Sequence, residues 1–336
     1  RKLLLTCTFP LLLPTTGQVY IPSERSAFRR DFFMLLNALN VKKEYGIQTV
    51  LDIEKLEIRD GDRIGLIGRN GAGKSTTMNI MCGVLRQSEG DVYIKGISMS
   101  KNPVEAKRHI GFLPQNPPLH MDLTVTEYLE YCAALRYIPD REIPQAVKKV
   151  LERCGISHFS KRLLRNLSGG YQQRVGIAQA IIHNPDFVVL DEPTNGLDPN
   201  QILDVRHLIK EIAEEHTVLI STHILSEVQA VCDHIRMIEQ GRLVFAGTVE
   251  EFDNYIVPDS LFVSLMAMPA IEDLKRVPGV LDVEELGGPN YRIKYKDFQE
   301  VTERLVEASS ARCWGLTELR QEKSSMNDIF AELSRK

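Results

Sequence analysis

Short continuous apolar runs alternate along this chain with stretches in which apolar residues recur every three or four positions. Buried parallel strands separated by amphipathic helices give that pattern. The runs at 64–67, 110–113, 187–190 and 218–220 read as strands covered on both faces. Ahead of them, 35–41 and 50–58 are strand-like and joined through 42–46, with a turn at Asp60-Gly61-Asp62. Met78, Met81, Cys82 and Leu85 share one face of a helix after the first buried run. The stretch 124–155 is helical by periodicity and opens on Thr124 and Glu127, a capping-box pair. Tyr171, Val175, Ala178 and Ile182 mark another helix, and Ile202, Val205, Leu208, Ile209 and Ile212 the next. A hairpin at 235–239 and 243–246 turns through Gln240-Gly241. The helical stretch at about 116–183 interrupts the strand–helix alternation. It therefore predicts an α/β core with an inserted helical subdomain.

The character changes at Pro258-Asp259. Strand 261–266, helix 271–277, strands 280–286 and 291–296, helix 298–306 and strand 313–319 follow in β-α-β-β-α-β order. A last helix starts at Ser325, with Asp328 as its capping partner and Ile329, Phe330 and Leu333 as its apolar face. The expectation is a small separate α+β domain at 258–336, with no catalytic constellation, behind a first domain at 34–257. Residues 1–33 combine Arg1-Lys2 with an apolar run broken by Pro10 and Pro14. They imitate a signal peptide but lack its small-residue cleavage pattern, and read as an extension outside the core.

Composition narrows the partners. A chain of 336 residues, 43% hydrophobic and 26% charged, is ordinary globular material. A net charge of −4 and a pI near 6.1 supply no basic field, so nucleic acid is not expected as a partner. The six cysteines lack any paired spacing and read as reduced, buried thiols.

The chemistry concentrates after the buried strands. Gly68, Arg69, Asn70, Gly71, Ala72, Gly73, Lys74, Ser75 and Thr76 lie between the run at 64–67 and a helix. This is the spacing of a phosphate-binding loop, in which glycines turn successive N–H groups onto an anion. Lys74 is placed to reach the β- and γ-phosphates, and the Ser75 hydroxyl is a hard ligand for Mg²⁺. Asp191 and Glu192 end the run at 187–190. Asp191 suits the Mg²⁺ shell and Glu192 is placed to polarise an attacking water, whereas solvated turn acids would not follow four buried residues. Gln115, after 110–113, is either a metal ligand or a loop residue. Ser168 with Gly169 and Gly170 opens either an ordinary capped helix or a second anion-binding helix end. Of the eight histidines, His223 alone follows a buried strand; His109, His120, His207 and His234 show no metal-site spacing.

Taken together, these motifs resemble the ATP-binding cassette (ABC) family over roughly 34–257. The resemblance implies that Tyr45 stacks on the adenine of ATP, that 68–76 is Walker A, and that Gln115 completes the Mg²⁺ shell and signals to a partner. It makes 167–170 the LSGG signature, Asp191 and Glu192 the Walker B pair, Asp198 the D-loop residue and His223 a contact of the γ-phosphate. Arg69 departs from the proline commonest at its position, and Tyr171 replaces a more frequent polar residue. Two such domains, here a homodimer, would sandwich two ATP molecules, with Ser168 and Gly170 of one copy over the phosphate held by the other. Separate membrane-spanning permease subunits are the implied partners, with this chain cytoplasmic and peripheral on the inner face of the cell membrane. The tail resembles the accessory domain of some bacterial exporter-type ATPase subunits, including gliding-motility and copper-processing ones. A soluble ABC-F-type ribosome-associated factor is the other reading, disfavoured because only one motif set is present. For the docking of a membrane subunit, Pro117, Pro118, Leu119, Met121, Leu123 and Tyr128 form the candidate face; the other possibility is that they are buried within the subdomain.

Overall fold

The computed structural model describes residues 34–256, 258–322 and 325–334; the extension expected at 1–33, with Cys7, lies outside them. Strands β1 (Met34–Tyr45) and β2 (Gln48–Arg59) pair antiparallel. The connection expected at 42–46 is mostly strand, because Tyr45 already pairs with Gln48 and Gly46, at φ 61°, allows a two-residue turn. β3 (Arg63–Ile67) leads through the glycine-rich loop into α1 (Lys74–Met81). β4 (Glu89–Ile94) and β5 (Ile97–Ser98) complete a first sheet in the order β2-β1-β4-β5. After α2 (Pro103–Arg108) comes β6 (Ile110–Leu113).

The insertion holds α3 (Val125–Leu135), α4 (Ile143–Arg153) and α5 (Gly169–Ile181). The single helical stretch expected at 124–155 is thus two helices. Its periodicity is real, but Tyr137 takes a left-handed φ of 59° and Pro139 has no N–H to donate, so the chain turns there. Thr124 and Glu127 do form the capping box. Val125, Leu129 and Ala133 of α3 share a core with Val147, Val150 and Leu151 of α4 and Val175 and Ala178 of α5. Glycine brings α5 onto β6: a Cβ on Gly111 would lie 2.0 Å from the Ala180 carbonyl oxygen, and one on Gly176 would lie 2.7 Å from Leu113 Cδ1.

Beyond the insertion run β7 (Phe187–Asp191), α6 (Pro199–Ile212), β8 (Thr217–Ser221), α7 (Leu225–Val231), β9 (His234–Glu239), β10 (Arg242–Thr248) and α8 (Val249–Asp253). The second sheet has the order β10-β9-β3-β8-β7-β6, and all its pairings except that of β10 are parallel. β7 and β8 are buried from end to end, which is why their sequences run apolar without alternation. Because β3, β8 and β7 are parallel neighbours, their carboxyl ends open on one edge, where ligands bind in such sheets.

The C-terminal part builds its own sheet from β11 (Ser260–Leu265), β12 (Val280–Gly287), β13 (Asn290–Tyr295) and β14 (Leu316–Glu322), with α9 (Ile271–Lys275) and α10 (Phe298–Ala311). The order β12-β13-β11-β14, antiparallel throughout, is the ferredoxin-like arrangement of a β-α-β-β-α-β chain. Leu261, Val263, Ile293, Val301 and Leu305 lie in its separate core. The last helix, α11 (Met326–Leu333), is capped by Ser325 and Asp328 as expected. Its apolar face does not join that core. Met326, Ile329 and Leu333 pack instead into the cluster that contains Phe252 of α8 and Val231 of α7, and the Ser334 hydroxyl donates to Glu239 Oε2 at 3.4 Å. Cysteines 82, 154 and 232 are free and buried, but Cys132 is only half-buried and Cys313 is exposed, in the turn before β14.

Candidate functional site

The carboxyl end of β3 passes into a loop laid directly on β9, where a Cβ on Gly68 would lie 2.2 Å from the Ile238 carbonyl oxygen. Gly71 and Gly73 take φ 84° and 110°, in the left-handed region that side chains disfavour. Lys74 closes the loop on itself. Its side chain is only 6% exposed, and the ammonium donates to the Gly68 carbonyl at 2.8 Å and the Arg69 carbonyl at 3.3 Å, with Glu192 Oε1 at 3.9 Å. Burial pulls its pKa below the ordinary value, although Glu192, Asp191 and Glu239 act in the opposite sense.

Glu192 stands just past the end of β7 in the left-handed region, at φ 49°, a conformation that costs a non-glycine residue about 1–3 kcal/mol and needs support around it. Ser221 at the end of β8 supplies part of that support. The Glu192 N–H donates to Ser221 Oγ at 3.0 Å and to the Ser221 carbonyl at 3.2 Å, and the same hydroxyl donates to Asp191 Oδ1. The Glu192 carboxylate is thereby held between Lys74 and His223, whose Nδ1 lies 2.8 Å from Oε2. A cleft of about 280 Å³ is lined by Arg69, Asn70, Gly71, Gly73, Lys74, Ser75, Thr76, Gln115 and Glu192. Gly68 and the buried Ala72 lie in the wall of the loop rather than on the cleft.

The other expected residues stand apart from this cleft. Tyr45 ends β1 with 55% of its surface exposed and the Lys43 ammonium 4.8 Å from its ring centre. Ser168 is the N-cap of α5 without a side-chain cap bond, and Gly169 has open space where a Cβ would be. A Cβ on Gly170 would lie 2.6 Å from Gln201 Cδ, so α5 abuts the start of α6. Asp198 caps α6, its Oδ1 accepting from the N–H groups of Asn200 and Gln201, both at 3.0 Å.

A family model described as ABC transporter matches residues 51–195. The bacitracin transport ATP-binding protein BcrA of Bacillus licheniformis is 38% identical over 212 residues, 62% of this chain and 68% of that protein. The chain belongs to the ABC transporter family. It is an ATP-binding and ATP-hydrolysing subunit of that family. The linearmycin resistance ATP-binding protein LnrL of Bacillus subtilis is similar over a longer span, 29% identical across 89% of this chain and 98% of its own. That span exceeds what residues 34–256 can supply, so the likeness extends into the C-terminal part. Among solved structures, a dimeric ATP-binding cassette in a post-hydrolysis state with ADP and Pi superposes with a TM-score of 0.59 at 27% identity, covering 64% of this chain and 99% of that one.

The ABC subunit also carries a groove of about 520 Å³ beside this site, between the core and the insertion. Val84, Val104, Pro118, Leu135 and Tyr137 line it, with Leu135 59% and Tyr137 73% exposed. The face expected from 117–128 is therefore mostly elsewhere. Tyr128 is buried in the subdomain core, Leu119 and Leu123 pack against it, and Met121 is exposed but does not line the groove. Around the acids, sequence reasoning missed Ser221, Thr222, Thr194, Arg206 and Glu227. A signal for the last was present: Glu227 sits four residues before Val231 on the apolar side of α7, where an unpaired carboxylate would not be tolerated. Among the described residues, no helix is long and apolar enough to cross a membrane.

Proposed function

We propose that this ABC subunit powers separate membrane-spanning subunits through ATP-driven closure of a homodimer, with Glu192 as the general base. The observation that carries the reading is the Glu192 carboxylate, fixed between Lys74 and His223 at the edge of the phosphate-loop cleft. In this reading Lys74 leaves the loop carbonyls for the β- and γ-phosphates, and loop N–H groups from 68 to 76 surround them. Glu192 accepts a proton from the attacking water while His223 steadies the carboxylate and meets the γ-phosphate. Tyr45, exposed on the hairpin, takes the adenine face. Ser75, Gln115 and Asp191 offer hydroxyl, amide and carboxylate oxygens, a hard donor set that fits Mg²⁺. When bound, that ion neutralises charge on the β- and γ-phosphates.

Ser168, Gly169, Gly170 and Asp198 lie off the cleft of their own chain, which supports their acting on the ATP of a second copy. The apolar groove supports docking of one helix of a membrane subunit and, with it, a cytoplasmic position at the inner membrane face. Residues 34–257 form the cassette, with its helical subdomain at 116–183, and 258–322 an accessory domain of the kind found on exporter ATPases. The relatives named for bacitracin transport and linearmycin resistance support an antimicrobial cargo moved outward.

Glu192→Gln tests the assignment in the full chain. It should bind ATP, dimerise by light scattering and lose at least about 100-fold in turnover, because the phosphate cradle survives while the proton acceptor does not. A variant that hydrolyses ATP near the wild-type rate, or stays monomeric with ATP, overturns the reading. Recovery of ribosomes instead of a multi-span membrane protein with the wild-type chain would favour the ABC-F alternative.

A further inference from the structure

Behind the cleft lies a buried carboxylate that the proposed chemistry does not use. Glu227 of α7 is 4% exposed. Its Oε1 accepts from the Thr194 hydroxyl at 2.7 Å, its Oε2 accepts from the Thr222 hydroxyl at 2.8 Å, and Arg206 of α6 lies 3.6 Å from Oε1. Thr194 and Thr222 are themselves buried. Their positions in the chain give the contacts meaning. Thr194 is two residues after Glu192, and Thr222 immediately precedes His223.

We infer that Glu227 is a positioning residue that clasps the segment after Glu192 to the segment before His223 and so sets the 2.8 Å contact between them. The inference rests on the reading of Glu192 as general base given above. The two segments leave the ends of neighbouring parallel strands, β7 and β8, and diverge at once into different helices. Ladder bonds stop at Asp191 and Ser221. Beyond them, Ser221 holds Glu192 from the strand side only. The left-handed backbone at Glu192 must also be held from the far side, or it relaxes toward an ordinary conformation and turns the carboxylate away. Thr194 is the first residue past Glu192 with a buried side-chain anchor, and Glu227 is that anchor. On the other segment, the Thr222 hydroxyl donates to Glu227 and accepts from the Ile224 N–H at 3.0 Å, pinning the backbone on both sides of His223. A carboxylate is the group that can do this, because it offers two oxygens on opposite sides and still balances the charge of Arg206. An aspartate, shorter by one methylene, cannot span both threonines from the same helix position.

The test uses the full-length chain and separates binding from turnover. Glu227→Ala should leave the Kd of a fluorescent ATP analogue within about twofold of wild type, since no atom of the phosphate loop touches Glu227, while kcat falls about tenfold or more. Glu227→Gln keeps the volume and an acceptor oxygen, and should recover a substantial part of that loss. Glu227→Asp should not. Thr222→Val, nearly isosteric, should reproduce the fall in kcat by removing one arm, and it gives the answer if the alanine variant does not fold. Equal kcat in wild type, Glu227→Gln and Thr222→Val, alongside an inactive Glu192→Gln, would overturn the positioning role and leave the base assignment standing. An active Glu192→Gln would instead overturn the assignment beneath it. Parallel losses of Kd and kcat in all the Glu227 and Thr222 variants would reduce Glu227 to a general stabiliser and also overturn the proposal.

Discussion

Truncating Ile329 to alanine asks which half of the protein owns the last helix. Ile329 is fully buried against a cluster that includes Phe252 of α8, not against the ferredoxin-like core that precedes it in sequence. The change removes three buried carbons. At about 0.8 kcal/mol each this is roughly 2.4 kcal/mol of transfer free energy, and the cavity left behind raises the cost to about 3–4 kcal/mol. The low end is expected, because α11 is only eight residues long and can settle partly into the gap. For a cooperative unit of 150–250 residues each kcal/mol moves the midpoint by about 2–4 °C, so a fall of about 6–12 °C is expected. Calorimetry with and without ATP identifies the transition concerned, since nucleotide raises only the unit that binds it. The ATP-sensitive transition should be the one that falls. If it stays within about 2 °C of wild type while an ATP-insensitive transition drops, α11 is held by the C-terminal core and the argument is wrong.

Leu135→Asp places a charge in the exposed apolar groove at little cost to folding, within about 0.5 kcal/mol. ATP binding should be unchanged and co-purification of a multi-span membrane protein lost; undiminished recovery would remove the groove as the docking site. His183 concerns acid stability. Burial, reinforced by Arg136 and opposed by its bond to the Ile110 carbonyl, pushes its pKa down from 6.5 to about 4. A depressed histidine stabilises the fold above its unfolded pKa and loses that contribution as pH falls from 6.5 toward 4. His183→Gln should therefore flatten the decline in urea midpoint between pH 7 and pH 4, and an unchanged slope would show that other groups govern it.

The chain's sequence made some of this legible for definite reasons. The apolar runs at 110–113, 187–190 and 218–220 read as buried strands and are so, and the candidate residues just past them come to one edge because parallel strands open their carboxyl ends together. The turn at 68–74 was readable because the glycine spacing dictates its backbone, and Gly71 and Gly73 do take left-handed φ. Where the outcome depended on which surface meets which, sequence was silent. The apolar face of α11 announces that something covers it, not that Phe252 does. Tyr128 and Leu135 are both apolar and near in sequence, yet one is core and the other groove. The break in 124–155 escaped notice because Cys132, Ala133 and Arg136 keep helical spacing up to the residue before the turn. Glu227 is marked in the sequence only as a carboxylate on an apolar helix face; its partners, Thr194 and Thr222, become neighbours only when two strands end side by side.

The near-contact of α5 with β6 at Gly111 and Gly176 has a mechanical meaning. A helix of thirteen residues is a rod about 20 Å long. One end of this rod bears Ser168, and further along it meets the strand that runs to Gln115 in two ways, backbone on backbone where Ala180 lies over Gly111, and Gly176 against the Leu113 side chain. Slack in such a joint is small at Gly111, because the surface that touches there is the Ala180 backbone, which cannot change rotamer. A push delivered in the groove beside Pro118 and Leu135 would thus tilt the rod as a whole instead of being absorbed by side-chain rearrangement. Alanine at Gly111 would act as a shim, prising helix from strand and mis-setting the far end even with every residue of the cleft left in place.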